Sequence, residues 1–196
     1  MRRRHHGQRI YSWALAAALA PCSSLAHADT HTLTGAHVTQ KSPEKIWSIL
    51  TAYPDICAKG CRYERPNLIR VKKVSYLASE TSWYTWSHVE NPIRDVTYFS
   101  KVTINWRENG DFTTDTLQLN DSHRELIDAL KKKTGLDHRP AFDTANTTTT
   151  VRKSGERTQV TQKVVLTSSG LLDLWPAKVL AGIREHMEAT FRNIGP

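Results

Sequence analysis

The sequence predicts an α+β fold in which one curved antiparallel β-sheet wraps around one long C-terminal α-helix. Three observations carry this. Between Ser168 and Pro196, Leu171, Trp175, Val179, Ile183, Met187 and Phe191 fall every fourth residue, with Leu172, Leu180 and Ile194 beside them, the spacing of an amphipathic helix. Between Thr30 and Thr167 the chain reads as strands joined by hairpins too short for parallel crossovers. A stripe of about five helical turns needs an apolar partner of similar length, and that sheet supplies it. At 196 residues the chain has room for one well-cored domain and not for two ordinary ones.

Taken in order, the β-branched stretch from Thr32 to Lys41 predicts a first strand. Ser42 then caps a helix, with Pro43 at the first helical position, Glu44 as first-turn negative charge, and Ile46, Trp47, Ile49 and Leu50 on the apolar side. A second short helical piece is expected after Pro54. Strands follow over Leu68 to Leu77 and Ser82 to Val89. The clearest alternation runs from Val96: Val96, Tyr98, Ser100, Val102, Ile104 and Trp106 share one face, and Thr97, Phe99, Lys101, Thr103, Asn105 and Arg107 the other. Asn109-Gly110 is a tight-turn signal leading into Phe112 to Leu119. Ser122 to Lys133 predicts a brief helix with Leu126, Ile127 and Leu130 inward, closed by Gly135. Thr144 to Lys153 and Arg157 to Thr167 form a last hairpin across Ser154-Gly155. Because Pro176 lacks an N–H and fits only a first turn, the long helix is expected to start near Trp175 and to run to Asn193, before Gly195 and Pro196.

Residues 1–28 read as a secretory signal peptide ahead of a single domain over 29–196. Arg2, Arg3, Arg4 and Arg9 form a basic region, Tyr11 to Ala20 is a short apolar run, and Ala26-His27-Ala28 is an A-x-A cleavage pattern. That run is well short of the ~20 residues a membrane span needs. Four of the 27 basic residues and none of the 19 acidic ones lie in this leader, so the formal +8 becomes +4 for the remaining chain. This charge is ordinary for a soluble domain and argues against a nucleic-acid partner, which calls for Lys/Arg clustered on one face. The dense run Lys131-Lys132-Lys133 ends a helix, where cations suit the dipole. Export, to periplasm or medium, places the chain where disulfides form. Cys57 and Cys61, with Gly60 between them, are then candidates for a structural disulfide, with two free thiols as the alternative. No second Cys pair and no His at zinc spacing accompany them, so no metal is expected.

Three segments carry a resemblance. Ser42-Pro43-Glu44-Lys45-Ile46-Trp47-Ser48-Ile49-Leu50-Thr51-Ala52-Tyr53-Pro54 before an antiparallel run, Asn91-Pro92-Ile93-Arg94-Asp95-Val96-Thr97-Tyr98 at the start of a central strand, and Ser169-Gly170-Leu171-Leu172-Asp173-Leu174-Trp175-Pro176-Ala177-Lys178-Val179-Leu180 entering the last helix look like the START-related (SRPBCC) superfamily. The likeness covers Thr32 to Asn193. It implies the helix-grip fold of lipid-transfer START domains, coenzyme-Q-binding proteins, birch-pollen-type allergens and aromatic polyketide cyclases. It also implies a hydrophobic small molecule or lipid held between sheet and helix. An extra segment over Ser122 to Asp137 is longer than a plain hairpin and is expected to be either a lid over a pocket mouth or a surface excursion.

The residues agree with such a cavity in kind. Trp86, Tyr98, Val102, Trp106, Trp175, Val179, Ile183 and Met187 are the candidate lining, large apolar groups with a few polar tips. The competing reading for each aromatic is plain core. Arg94 is a candidate for a carboxylate or phosphate headgroup if it shares the inward face of Val96; otherwise it is a structural ion pair with a neighbouring strand or Glu90. Evidence for catalysis is thin. No H-E-x-x-H, G-x-S-x-G or phosphate-loop pattern is present, and nothing calls for a cofactor. His88, on one strand face with Tyr84 and Trp86, is the best-placed acid/base, with a structural hydrogen bond as the competing role. The expected function is therefore an exported, monomeric carrier of a hydrophobic molecule, with transient membrane contact. A cyclase-like enzyme using the same pocket and a protein-interaction domain with a filled cavity are the alternatives.

Overall fold

The computed structural model describes residues 29–52, 69–89, 95–168 and 176–196. The leader, the expected helical piece after Pro54, Cys57 and Cys61, Arg94 and Trp175 lie outside the described residues. Among those residues the order is β1 (Asp29–Thr39), α1 (Pro43–Leu50), β2 (Ile69–Val74), β3 (Ser82–Val89), β4 (Val96–Trp106), β5 (Phe112–Gln118), a single 3₁₀ turn (Asp121–His123), α2 (Arg124–Thr134), β6 (Thr144–Ser154), β7 (Arg157–Ser168) and α3 (Pro176–Ile194). Seven strands form one antiparallel sheet in the order β1-β7-β6-β5-β4-β3-β2. This is the predicted helix-grip architecture: a meander from β2 to β7, with β1 brought back beside β7.

Local chemistry fixes the element ends. Ser42 Oγ accepts the Lys45 N–H at 3.3 Å and Pro43 occupies the first turn of α1, as a side-chain N-cap requires. Gly110 at φ 81° turns β4 into β5, and Asp111 beyond it accepts the Lys153 N–H at 2.8 Å, tying that turn to β6. Gly135 at φ 70° ends α2, its N–H donating to the Lys131 carbonyl at 2.8 Å.

The register sorts the side chains into two faces. Val160, Val151, Phe112 and Trp106 stand across from one another on β7, β6, β5 and β4, and Val164, Thr147, Thr116, Val102 and Trp83 form the parallel row four residues away. This is the concave face, which α1 and α3 cover. Ile46 on α1 and Ile194 on α3 are fully buried against Trp83, Val102, Ile104, Phe112, Val151 and Val160. A second concave cluster joins Val164 and Leu166 to Met187, with Leu33, Leu180 and Ile183 beside them.

The opposite, convex face holds Tyr84, Trp86 and Phe99, buried under Ile127 and Leu130 of α2 together with Val74 and Leu119. The extra segment therefore packs on the back of the sheet. It is the surface excursion of the two sequence-based expectations and not a lid over the grip, because its apolar side matches the aromatic back of β3 and β4.

Candidate functional site

The grip closes tightly at one end. Gly35 on β1 has no side chain, and a Cβ there would lie 2.9 Å from Phe191 Cε2 and 3.0 Å from Met187 Cε, so α3 meets the sheet at a distance only glycine allows. Next along β1, His37 Nε2 donates to the Gly195 carbonyl at 2.9 Å and its ring stacks on Phe191. Met187, Ala189, Thr190 and Ile194 are correspondingly buried.

Toward its N-terminal end α3 is covered less completely. Val179, Leu180 and Ile183, on the same stripe, are only half-buried. A separate groove of about 250 Å³ lies at the edge of the tight contact between β1 and α3, lined by Leu33, Gly35, Met187 and Phe191 together with Arg184 and Glu188, and not by Val179, Leu180 or Ile183.

The candidate lining residues separate on inspection. Val179, Ile183 and Met187 lie along α3, and the latter two belong to the cluster under the helix. Val102 is buried on the concave face against Trp83, and Tyr98 is half-buried in the same register. Trp86 is a correction: it lies on the convex face, where its Nε1 donates to the Asp137 carbonyl at 2.7 Å and α2 covers its ring. Trp106 is a second correction. It is 44% exposed at the end of β4, edge-on to Trp47 with ring centroids 5.9 Å apart, and so caps the α1 side of the core from outside.

What the sequence reading missed is the polarity of the concave wall. Thr85 and Ser87 on β3, Ser100 on β4, Thr114 and Gln118 on β5, Thr149 on β6 and Gln162 on β7 are all buried and all share this face. Gln118 Nε2 donates to the Phe142 carbonyl at 2.8 Å, yet its Oε1 has no partner, and neither do Gln162 Oε1 and Trp83 Nε1. Ser100, in the middle of an otherwise apolar inward series, was the visible sign. The amides could not be placed from the sequence because β5 carries Thr on both sides and β7 carries both Thr and Gln on both sides.

Acid/base chemistry is placed elsewhere. His88 Nε2 lies 3.0 Å from Asp95 Oδ2, but the pair stands on the convex face beside Trp86. Among the described residues no group of three or more His, Cys, Asp or Glu is arranged to hold a metal, and no helix is long and apolar enough to cross a membrane.

No protein-family model matches the chain, and no curated protein matches its sequence. Solved structures match its shape. A "STAR-related lipid transfer protein" from Xanthomonas axonopodis superposes with a TM-score of 0.60 at 12% identity, covering 84% of this chain and 86% of that one. The human StarD13 "lipid transfer and protein localization domain" gives 0.54 at 11%, covering 83% and 75%. The Zhui aromatase/cyclase from a Streptomyces species gives 0.53 at 10%, covering 83% and 92%. At such identities the likeness is one of fold. The antiparallel sheet, the C-terminal helix it grips and these superpositions together make this chain a START-like helix-grip fold.

Proposed function

We propose that this chain is an exported carrier of a lipid or other hydrophobic small molecule, held between the concave face and α3. The observation that carries the proposal is the graded fit of α3: sealed at Gly35, Met187 and Ile194, and half-covered at Val179, Leu180 and Ile183. Apolar side chains left partly uncovered along the helix are what an apolar ligand would cover, contributing on the order of 25 cal/mol per Å² removed from water. The two lipid-transfer structures of the same fold support this reading, and the leader-like residues 1–28 support export. Loading and release by a single small domain would involve transient contact with a membrane.

The test is native mass spectrometry of the protein purified from its own host, followed by organic extraction. A stoichiometric apolar molecule, lost in Ile183→Asp while the fold is retained, is the expected result. A clean apo mass together with failure to take up any lipid from mixed vesicles would overturn the proposal and favour the protein-interaction alternative. The cyclase-like alternative draws on the Streptomyces structure alone, because the His88–Asp95 pair stands outside the grip.

A further inference from the structure

We infer that the protein pairs with a second copy of itself through the outer edge of β1, in an antiparallel, two-fold arrangement that joins the two sheets. The inference does not depend on the carrier reading, and it replaces the monomer expected from the sequence.

The two edges of the sheet are built differently. β2, at one edge, has six residues and carries the exposed Lys72 and Lys73, a short charged strand of the kind that resists pairing with another chain. β1, at the other edge, runs for eleven residues in unbroken register with β7, with no bulge, no proline and no lysine or arginine. Its only carboxylate is Asp29, at the very start. Among the described residues nothing pairs with its outer side. Such an edge offers a row of N–H and C=O groups to any strand that can lie along it.

The groove beside β1 indicates which strand fits. Leu33, Thr34, Gly35 and Ala36 all line it, and because consecutive strand residues point to opposite faces, it follows the backbone edge of β1 and not one face. From α3 it receives Met187 and Phe191 together with Arg184 and Glu188, which are one turn apart and both exposed. Among the described residues Arg184 has no ion-pair partner, and Glu188 has only Arg192, at 4.0 Å.

A second β1 meets these features when the two-fold axis passes through Thr34. Thr34 then faces its own counterpart, and Leu33 of each copy lies across from Gly35 of the other, where no facing side chain keeps the leucine out of the groove. Val38, 50% exposed on the convex side, lies across from Thr30 of the other copy. On the helix, Met187 packs against Leu33 and lies beside Gly35, so the axis passes α3 close to the midpoint between Arg184 and Glu188. The same two-fold therefore brings Arg184 of each copy toward Glu188 of the other, two reciprocal pairs of opposite charge. A strand from an unrelated protein would gain the backbone bonds without this self-complementarity.

Sedimentation velocity of the protein and its variants, over a range of micromolar concentrations, tests this. The expected result is a monomer–dimer equilibrium. Thr34→Lys sets two like charges face to face at the axis, and Arg184→Glu or Glu188→Arg turns both attractive pairs into repulsive ones. Each should weaken association by about tenfold or more, with circular dichroism unchanged. Mixing Arg184→Glu with Glu188→Arg should restore the dimer, because every cross-copy contact is then again between opposite charges; a folding defect in either variant would not be rescued in this way. A protein that stays monomeric throughout the range overturns the inference. So does a dimer that all three variants leave intact, or a mixture of the two charge variants that fails to associate.

Discussion

The imidazole of His37 on β1 lies nearly flat on the ring of Phe191 on α3, with centroids 5.6 Å apart and planes 14° from parallel. The same ring donates through Nε2 to the Gly195 carbonyl at 2.9 Å, so one side chain holds both the face and the end of the terminal helix. Replacing it removes a stacked pair and a hydrogen bond together. His37→Ala is expected to cost about 1–2 kcal/mol in urea unfolding, and hydrogen exchange should show the loss concentrated in the last turns of α3. His37→Phe keeps the stack alone and should recover part of it. Equal protection of α3 in all three proteins would show that the contact is incidental.

Two residues earlier on β1, Gly35 is required by space and not by backbone angle. A methyl there would meet Phe191 and Met187 at about van der Waals overlap, and a valine would force α3 outward. Gly35→Val is expected to destabilise by about 1–3 kcal/mol, the usual cost of overpacking. Gly35→Ala should cost less and should be relieved by Met187→Ala, giving a non-additive double-mutant cycle. Additive effects would mean that the helix shifts without resistance.

Leu77 in the β2–β3 connection adopts φ 59°, the left-handed region, and is 58% exposed. An L side chain other than Asn or Asp sits there at a cost, and the exposed leucine gains nothing in burial to offset it. Leu77→Asn is expected to raise stability by about 0.5 kcal/mol, read as an increase in melting temperature with the denaturant slope unchanged. A drop would show that Leu77 makes a contact worth more than the strain.

How far the sequence reached depends on how each element is solvated. β4 could be assigned face by face because its convex side keeps Lys101 and Thr103 toward solvent while Val102 and Ile104 are buried, giving clean alternation. β3 could not. It is buried from Trp83 through Ser87 on both sides, so Trp83 and Trp86 look alike in sequence although they face the grip and the back of the sheet respectively. That two-sided burial is the reason Trp86 was assigned to the cavity. α2 was found from its periodicity, but its destination was not, since the aromatic surface that receives it belongs to strands that are distant in the chain. The polar concave wall was hidden for the reverse reason: Thr and Gln are the expected outward residues of strands, and only the register shows that several of them point in.

The contact between α2 and the sheet should weaken with acid, and His138 is the group responsible. Its ring stacks on Phe99 with centroids 5.9 Å apart, and its Nδ1 accepts the Phe99 N–H at 3.0 Å, a role open only to an unprotonated nitrogen. Burial first, and then the neighbouring Lys131, hold this imidazole below its ordinary value of 6.5, against the weaker opposing pull of Asp121 and of a hydrogen bond to the Leu119 backbone. Above that value the ring is neutral in both the folded and the unfolded chain and costs nothing. As the pH falls through it, the unfolded chain binds the proton and the folded one resists, so stability declines until the pH passes below the folded-state value, after which this contribution is flat. The urea midpoint is therefore expected to fall as the pH drops below the ordinary imidazole value of 6.5, with hydrogen exchange rising first in α2. His138→Asn, which keeps an acceptor for the Phe99 N–H but cannot titrate, should flatten that part of the profile. An unchanged slope in the variant would assign the pH dependence to another group.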